Sequence, residues 1–215
     1  MNASTERLML EGPAGAIEAL RDAPGADVPV RGVALIAHPH PLFGGTMDNK
    51  VVQTLARAFV QCGWVAVRFN FRGVGKTEGV YDEGRGEAED FRAVLSQVAP
   101  DAAVPVALAG FSFGAFVTSR AALAVHAERS MEQLVLIGTA ASRFDVAVLP
   151  PELHERTLVV HGEQDDTVPL LAVLDWARPQ SLPVTVVPGG GHFFHGQLPL
   201  LKSLVVRHLR ATPAV

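Results

Sequence analysis

From Gly32 onward the chain alternates short apolar runs, rich in β-branched residues, with longer stretches whose apolar positions recur at helical spacing. The short runs predict strands over Val33–Ala37, Trp64–Phe69, Val104–Ala109, Gln133–Ile137, Thr157–His161 and Val184–Val187. The periodic stretches predict helices over Asn49–Gln61, Glu87–Val98, Phe113–Ala127, Leu170–Trp176 and Leu198–Leu209. Ahead of them, Leu8–Leu10 and Ile17–Leu20 flank a Gly-Pro-Ala-Gly turn, which predicts an antiparallel hairpin at a sheet edge and brings the expected strands to eight. Alternation of this kind produces an α/β fold, a mostly parallel sheet with helices on both faces. Open sheets bind ligands beyond the carboxyl ends of their strands, so the loops beginning at His38, Asn70, Gly110, Gly138, Gly162 and Pro188 should share one functional face.

Length and composition narrow the class without naming a reaction. At 215 residues the chain is expected to form a single domain over residues 1–215. Its 48% hydrophobic and 19% charged residues suit buried strands and argue against disorder. The formal net charge is −4 with no basic cluster, so neither nucleic acid nor a membrane surface is an expected partner. The first residues lack a basic and then apolar leader, and no apolar run approaches a membrane span, which makes a cytoplasmic protein the expectation. The single Cys62, near a predicted helix end, reads as a small buried thiol. It can form no internal disulfide and no thiolate zinc site alone, and no cofactor or metal is expected. Nothing in the pattern speaks to oligomeric state.

The chemistry concentrates at Val104-Pro-Val-Ala-Leu-Ala-Gly110-Phe111-Ser112-Phe113-Gly114, where an apolar strand runs into a serine bracketed by glycines. A nucleophilic serine must stand on a sharp strand-to-helix turn, and Gly110 and Gly114 provide the close approach this requires. Its hydroxyl also needs a base, and the base needs a carboxylate to fix its tautomer. Gly162-Glu163-Gln164-Asp165-Asp166-Thr167-Val168-Pro169 offers acids after one strand. Pro188-Gly-Gly-Gly191-His192-Phe193-Phe194-His195 offers histidines after the next. Serine, acid and histidine thus follow in order on three strand ends.

These motifs, together with His38-Pro-His40-Pro-Leu42-Phe-Gly44-Gly45-Thr-Met-Asp48-Asn49 and Phe69-Asn70-Phe-Arg72-Gly73-Val-Gly75, give the chain a clear resemblance to α/β-hydrolase-fold serine hydrolases. It resembles in particular the small lidless group related to dienelactone hydrolases, over essentially its whole length. Dienelactone hydrolases proper carry cysteine at the elbow, so Ser112 sets this chain apart from that substrate. The resemblance implies Asp165 as the acid, from the spacing Gly-x-x-Asp-x-x-Val-Pro, with Asp166 out of register and expected to bond amides of the following turn. His192, directly after the glycines, is the expected base, and His195 a surface residue. The oxyanion donors are expected to be the amide of Phe113 and, by likeness to related hydrolases, that of His40, with Leu42 as the alternative because Pro39 and Pro41 have no N–H.

His38 is expected to tie its loop to neighbouring backbone. Asn70 and Arg72 could recognise a polar substrate group, but pinning their own loop is the favoured role. Gly73-Val-Gly75-Lys76-Thr77 lacks the first glycine of a phosphate loop, where Asn70 stands. Only Gly138 to Arg156 joins the sixth and seventh strands, too little for a cap domain. Selectivity is then expected from Leu42, Phe43, Phe111 and Phe193, with Phe113 and Phe194 nearby. The expected function is hydrolysis of small, short-chain carboxylic esters by Ser112, His192 and Asp165 through an acyl-enzyme. Thioesterase or peptidase activity would use the same groups. Two other classes are weighed: a non-catalytic binding protein, which a fluorophosphonate would not label, and a metal-dependent hydrolase drawing on His38, His40, His192 and His195, which a chelator would abolish.

Overall fold

The computed structural model describes residues 4–211. Eight strands form one sheet: β1 (Ser4–Gly12), β2 (Gly15–Ala23), β3 (Gly32–Ala37), β4 (Trp64–Phe69), β5 (Val106–Phe111), β6 (Met131–Ile137), β7 (Thr157–Gly162) and β8 (Val184–Val187). Five helices connect them: α1 (Lys50–Gln61), α2 (Arg85–Val98), α3 (Phe113–Glu128), α4 (Leu170–Ala177) and α5 (Leu198–Ala211). The strand order is β1-β2-β4-β3-β5-β6-β7-β8, antiparallel across β1, β2 and β4 and parallel from β4 to β8.

Strands β3 to β6 are buried along their whole length because helices cover both faces. On one face α2, α3 and α4 pack Phe91, Phe116 and Val173 against Leu35, Val67 and Leu108. On the other, α1 and α5 pack Leu55, Phe59 and Leu201 against Ala34, Ala109 and Val135. Helix α1 begins where the Asn49 side chain accepts the Val51 N–H at 2.9 Å. Helix α3 carries apolar residues all round, which suits its burial between the sheet, α2 and the segment after β6.

Several boundaries differ from the sequence expectation. β5 starts at Val106 because Pro105 can offer the ladder only its carbonyl, which accepts from Val33 N–H at 3.0 Å, and the strand runs on through Phe111. The edge hairpin is longer than its apolar core, since Thr5 Oγ1 bonds Asp22 at 2.5 Å and Arg21 pairs with Glu6 at 3.2 Å in the polar extensions. Three short 3-10 helices, Pro41–Phe43, Pro151–Arg156 and Arg178–Gln180, lie below the length that periodicity detects.

The chain leaves β3 for β4 on one side and returns to β5 on the other, so the sheet order reverses between β3 and β5. A crevice opens beyond the carboxyl ends at such a reversal. The segment from Gly138 to Arg156 does not rise over it: Phe144 stacks on Phe116 at 4.7 Å, and the Ala147 carbonyl accepts from the Trp176 indole at 3.1 Å. No helix among the described residues is long and apolar enough to cross a membrane.

Candidate active site

Ser112 stands at the reversal, between β5 and α3, with φ 58° and ψ −117°. A non-glycine residue held there stores about 1–3 kcal/mol of backbone strain. The turn is kept by Ser112 N–H donating to Ile137 O at 2.8 Å, and by Ala115 N–H donating to Ser112 O at 3.0 Å. Its glycines are steric necessities. A Cβ on Gly110 would meet the Gly114 carbonyl oxygen at 2.3 Å, and one on Gly114 would meet the carbonyl oxygens of His38 and Ala37 at 2.4 and 2.6 Å.

Three strand ends bring their side chains together. Ser112 Oγ donates to His192 Nε2 at 3.0 Å, and His192 Nδ1 donates to Asp165 Oδ2 at 2.7 Å. Asp165 Oδ1 accepts the amides of Thr167 and Val168 at 3.0 and 2.7 Å. Burial opposes the charge on Asp165, but the bonds from His192 and Val168 outweigh it and hold the carboxyl below its ordinary range. An ionised carboxylate only accepts, which places the His192 proton on Nδ1 and leaves Nε2 free to face Ser112. Asp166 is exposed and, among the described residues, bonds only the Thr167 hydroxyl, at 3.3 Å. The turn amides expected to go to Asp166 therefore go to Asp165 instead.

The β3 loop crosses beside the elbow. His38 is fully buried, its Nδ1 donating to Pro39 O at 2.6 Å and its Nε2 accepting Phe71 N–H at 2.9 Å, which ties the β3 and β4 loops together. Burial pushes its pKa down to about 4, so the ring is neutral. His40 Nδ1 accepts Leu42 N–H at 3.2 Å, and His40 O accepts the amides of Phe43 and Gly45. Among the described residues neither His40 N–H nor Phe113 N–H is given to an acceptor. The His40 ring lies 4.9 Å from those of Phe113 and Tyr81, and burial together with the Arg143 charge lowers its pKa.

The expected apolar lining divides in two. Leu42, Phe43 and Phe193 are 66%, 76% and 42% exposed, the first two in the loop after β3 and the third in the loop after β8. Phe111, expected there too, is wholly buried because it lies within β5; its ring packs 4.9 Å from the His192 imidazole and offers no surface to a substrate. Phe113 and Phe194 are likewise core residues. Arg72 grips Asp90 with two bonds of 2.8 Å, and Asn70 bridges Met47 N–H and Glu18, so both hold loops in place. His195 is exposed, with its ring 5.9 Å from Phe193. Cys62 is half-buried at the end of α1.

Two further residues at the site, His161 in β7 and Gly138 just after β6, lie where the local pattern does not show what they touch. His161 is buried behind Asp165, and Gly138, at φ 54°, passes close to the Phe111 ring, which a Cβ there would meet at 3.1 Å. A separate cavity of about 610 Å³, lined by Asp22, Arg57, Arg68 and Lys202 among others, shares no residue with this site.

The sheet order, the elbow and the uncapped crevice define an α/β-hydrolase-fold serine hydrolase without a lid. The chain belongs to the family described as serine aminopeptidase, S33, whose model matches residues 30–152. It is similar over its whole length to a lidless α/β serine hydrolase of Xanthomonas campestris, with 38% identity, 98% of that chain covered and a TM-score of 0.88. An α/β serine hydrolase homologue of Coxiella burnetii is 40% identical over 95% of this chain and 97% of its own, with a TM-score of 0.81. An uncharacterized protein of Rickettsia prowazekii is 41% identical over 117 residues, 52% of this chain. That match spans about half of the Rickettsia protein, 47% of its length.

Proposed function

We propose that the protein hydrolyses carboxylic esters of small, short-chain acyl groups, with Ser112 as nucleophile, His192 as general base and acid, and Asp165 orienting His192. The observation that carries this reading is the unbroken run of bonds from Ser112 Oγ through His192 to Asp165, at 3.0 and 2.7 Å. Ser112 Oγ attacks the ester carbonyl carbon as its proton passes to His192 Nε2. The carbonyl oxygen becomes an oxyanion and takes hydrogen bonds from the amides of Phe113 and His40. The free Phe113 N–H at the start of α3 supports the first donor, since a helix N-terminus favours negative charge. For the second, His40 is favoured over Leu42 because Leu42 N–H already donates to the His40 ring.

His192 then returns its proton to the departing alcohol, leaving an acyl group on Ser112. Water, deprotonated by His192, attacks the acyl carbon and releases the acid with Ser112 restored. Asp165 stays ionised throughout, balancing the charge that His192 acquires in each half-reaction. Leu42, Phe43 and Phe193 supply apolar surface for the acyl or alcohol group, and the open crevice leaves Ser112 within reach of dissolved substrate.

The family description raises an aminopeptidase reading. Such an enzyme must hold its substrate's ammonium group, for which a carboxylate is the natural partner. The test is a panel of p-nitrophenyl esters, acyl thioesters and aminoacyl anilides, with Ser112→Ala as control. Short-chain esters should have the highest kcat/KM, with smooth saturation through the micelle concentration, and a fluorophosphonate should label the wild type but not Ser112→Ala. Preference for the anilides, or activity retained in Ser112→Ala, would overturn the proposal.

A further inference from the structure

His161, the fifth residue of β7, is wholly buried against the acid of the site. Its Nε2 lies 2.8 Å from the Val168 carbonyl oxygen and 3.4 Å from Asp165 Oδ2, the oxygen that also takes His192 Nδ1–H at 2.7 Å. A carbonyl can only accept, so Nε2 carries the proton. His161 Nδ1, buried, has no partner among the described residues. A second proton there would be a buried donor without an acceptor, and burial accordingly lowers the His161 pKa, opposed by the Val168 carbonyl and the Asp165 charge and aided by His192. Among the described residues, Asp165 and His192 are the titratable groups whose charge reaches it.

We propose that His161 is a positioning residue for the reaction: its neutral ring, bonded through Nε2–H to the Val168 carbonyl, sets the positive edge of that N–H 3.4 Å from Asp165 Oδ2, a dipole contact and not a second hydrogen bond, and so holds the carboxylate toward His192. The proposal rests on the assignment of Ser112, His192 and Asp165 given above. Val168 closes the arrangement from both ends, since its amide donates to Asp165 Oδ1 while its carbonyl holds His161. The carboxylate is bonded at Oδ1 by the turn amides and at Oδ2 by His192, with the His161 ring set against Oδ2 by Val168. His161 has a second effect: its N–H dipole draws on the charge of Oδ2 and tempers the support Asp165 gives to a protonated His192. A residue that merely filled space would have no such electronic effect.

The test compares His161→Met, which fills the space without a donor, with His161→Gln, whose terminal amide can donate from a similar reach. Rates are normalised to active sites titrated with a fluorophosphonate, and Tm is recorded for each variant. For His161→Met, kcat should fall about tenfold at constant KM, the size of one lost hydrogen bond. The acid limb of its kcat/KM profile should move to higher pH by about half a unit, because no ring N–H dipole then draws on the charge of Oδ2. His161→Gln should restore most of both. A His161→Met protein with wild-type kcat per titrated site and an unmoved acid limb would overturn the proposal, as would a His161→Gln that folds and matches the Met variant in both. Should His161→Met not fold, His161→Asn, too short to reach the Val168 carbonyl, is read by the same criteria. Ser112→Ala and Asp165→Asn separate the two levels: activity retained in these refutes the underlying assignment, whereas loss there with normal His161 variants refutes only the role of His161.

Discussion

Acidification should destabilise this protein through His38, by an amount that follows from its environment. The ring is wholly buried, with one nitrogen on a carbonyl and the other taking an amide, so it folds as a neutral imidazole with a pKa of about 4 against 6.5 when unfolded. Because the unfolded chain binds this proton more tightly, the contribution is fully present above pH 6.5 and is lost progressively as pH falls toward 4. The gap is worth about 3 kcal/mol when fully expressed and about 2 kcal/mol at pH 5. Urea denaturation at pH 7.5 and pH 5 measures it, a loss of about 2 kcal/mol moving the midpoint by about 0.7 M. His40, His161 and His208 also have lowered pKa values and steepen the wild-type curve, so the comparison is with His38→Gln, in which they remain. His38→Gln should be less stable at pH 7.5, and its deficit relative to wild type should shrink by about 2 kcal/mol at pH 5. Parallel stability curves for the two proteins would refute the reasoning.

The two neighbouring acids should separate cleanly. Asp165→Asn is expected to lower kcat by about four orders of magnitude through the wrong His192 tautomer, while the exposed Asp166→Asn stays near wild type; steady-state ester hydrolysis reads both, and equal losses would contradict the assignment. His40 has φ −54°, a value proline also adopts, so His40→Pro deletes the N–H with little change of backbone. It should lower kcat by about a hundredfold or more, whereas His40→Ala, which keeps the N–H, should not; similar rates for the two would move the second oxyanion donor elsewhere. Gly114→Ala drives a Cβ to within 2.4 Å of the His38 carbonyl oxygen, an overpacking worth about 3 kcal/mol that should lower Tm by roughly 9 °C. A wild-type melting curve for it would show that the elbow has slack.

Much of this architecture is written in local pattern. Apolar runs of strand length, helical periodicity between them and a two-residue glycine spacing around Ser112 depend on residues a few positions apart, and the structure reproduces β4 and β8 to the residue. Strand-end loops carrying serine, acid and histidine were legible for the same reason, since each follows its own apolar run. The edges were less legible. Where β5 begins depends on which Pro105 groups find partners across the sheet, and how far the hairpin extends depends on pairs such as Thr5 with Asp22.

The remainder came from strand order and register, which no local pattern encodes. Phe111 and Phe193 look alike in the chain, yet Phe111 is sealed at the end of β5 behind His192 and Phe193 is 42% exposed, because the first lies in a strand covered by helices on both faces and the second in the loop after β8. Arg72, expected to pin its own loop, does so through Asp90 on α2, a residue 18 positions away that the sequence alone did not name. His161 lies four residues before Asp165, but His192 joins them because β7 and β8 lie side by side with their ends in step. Local backbone preference and burial select the elements; which side chains then come within bonding distance is a property of how those elements stack.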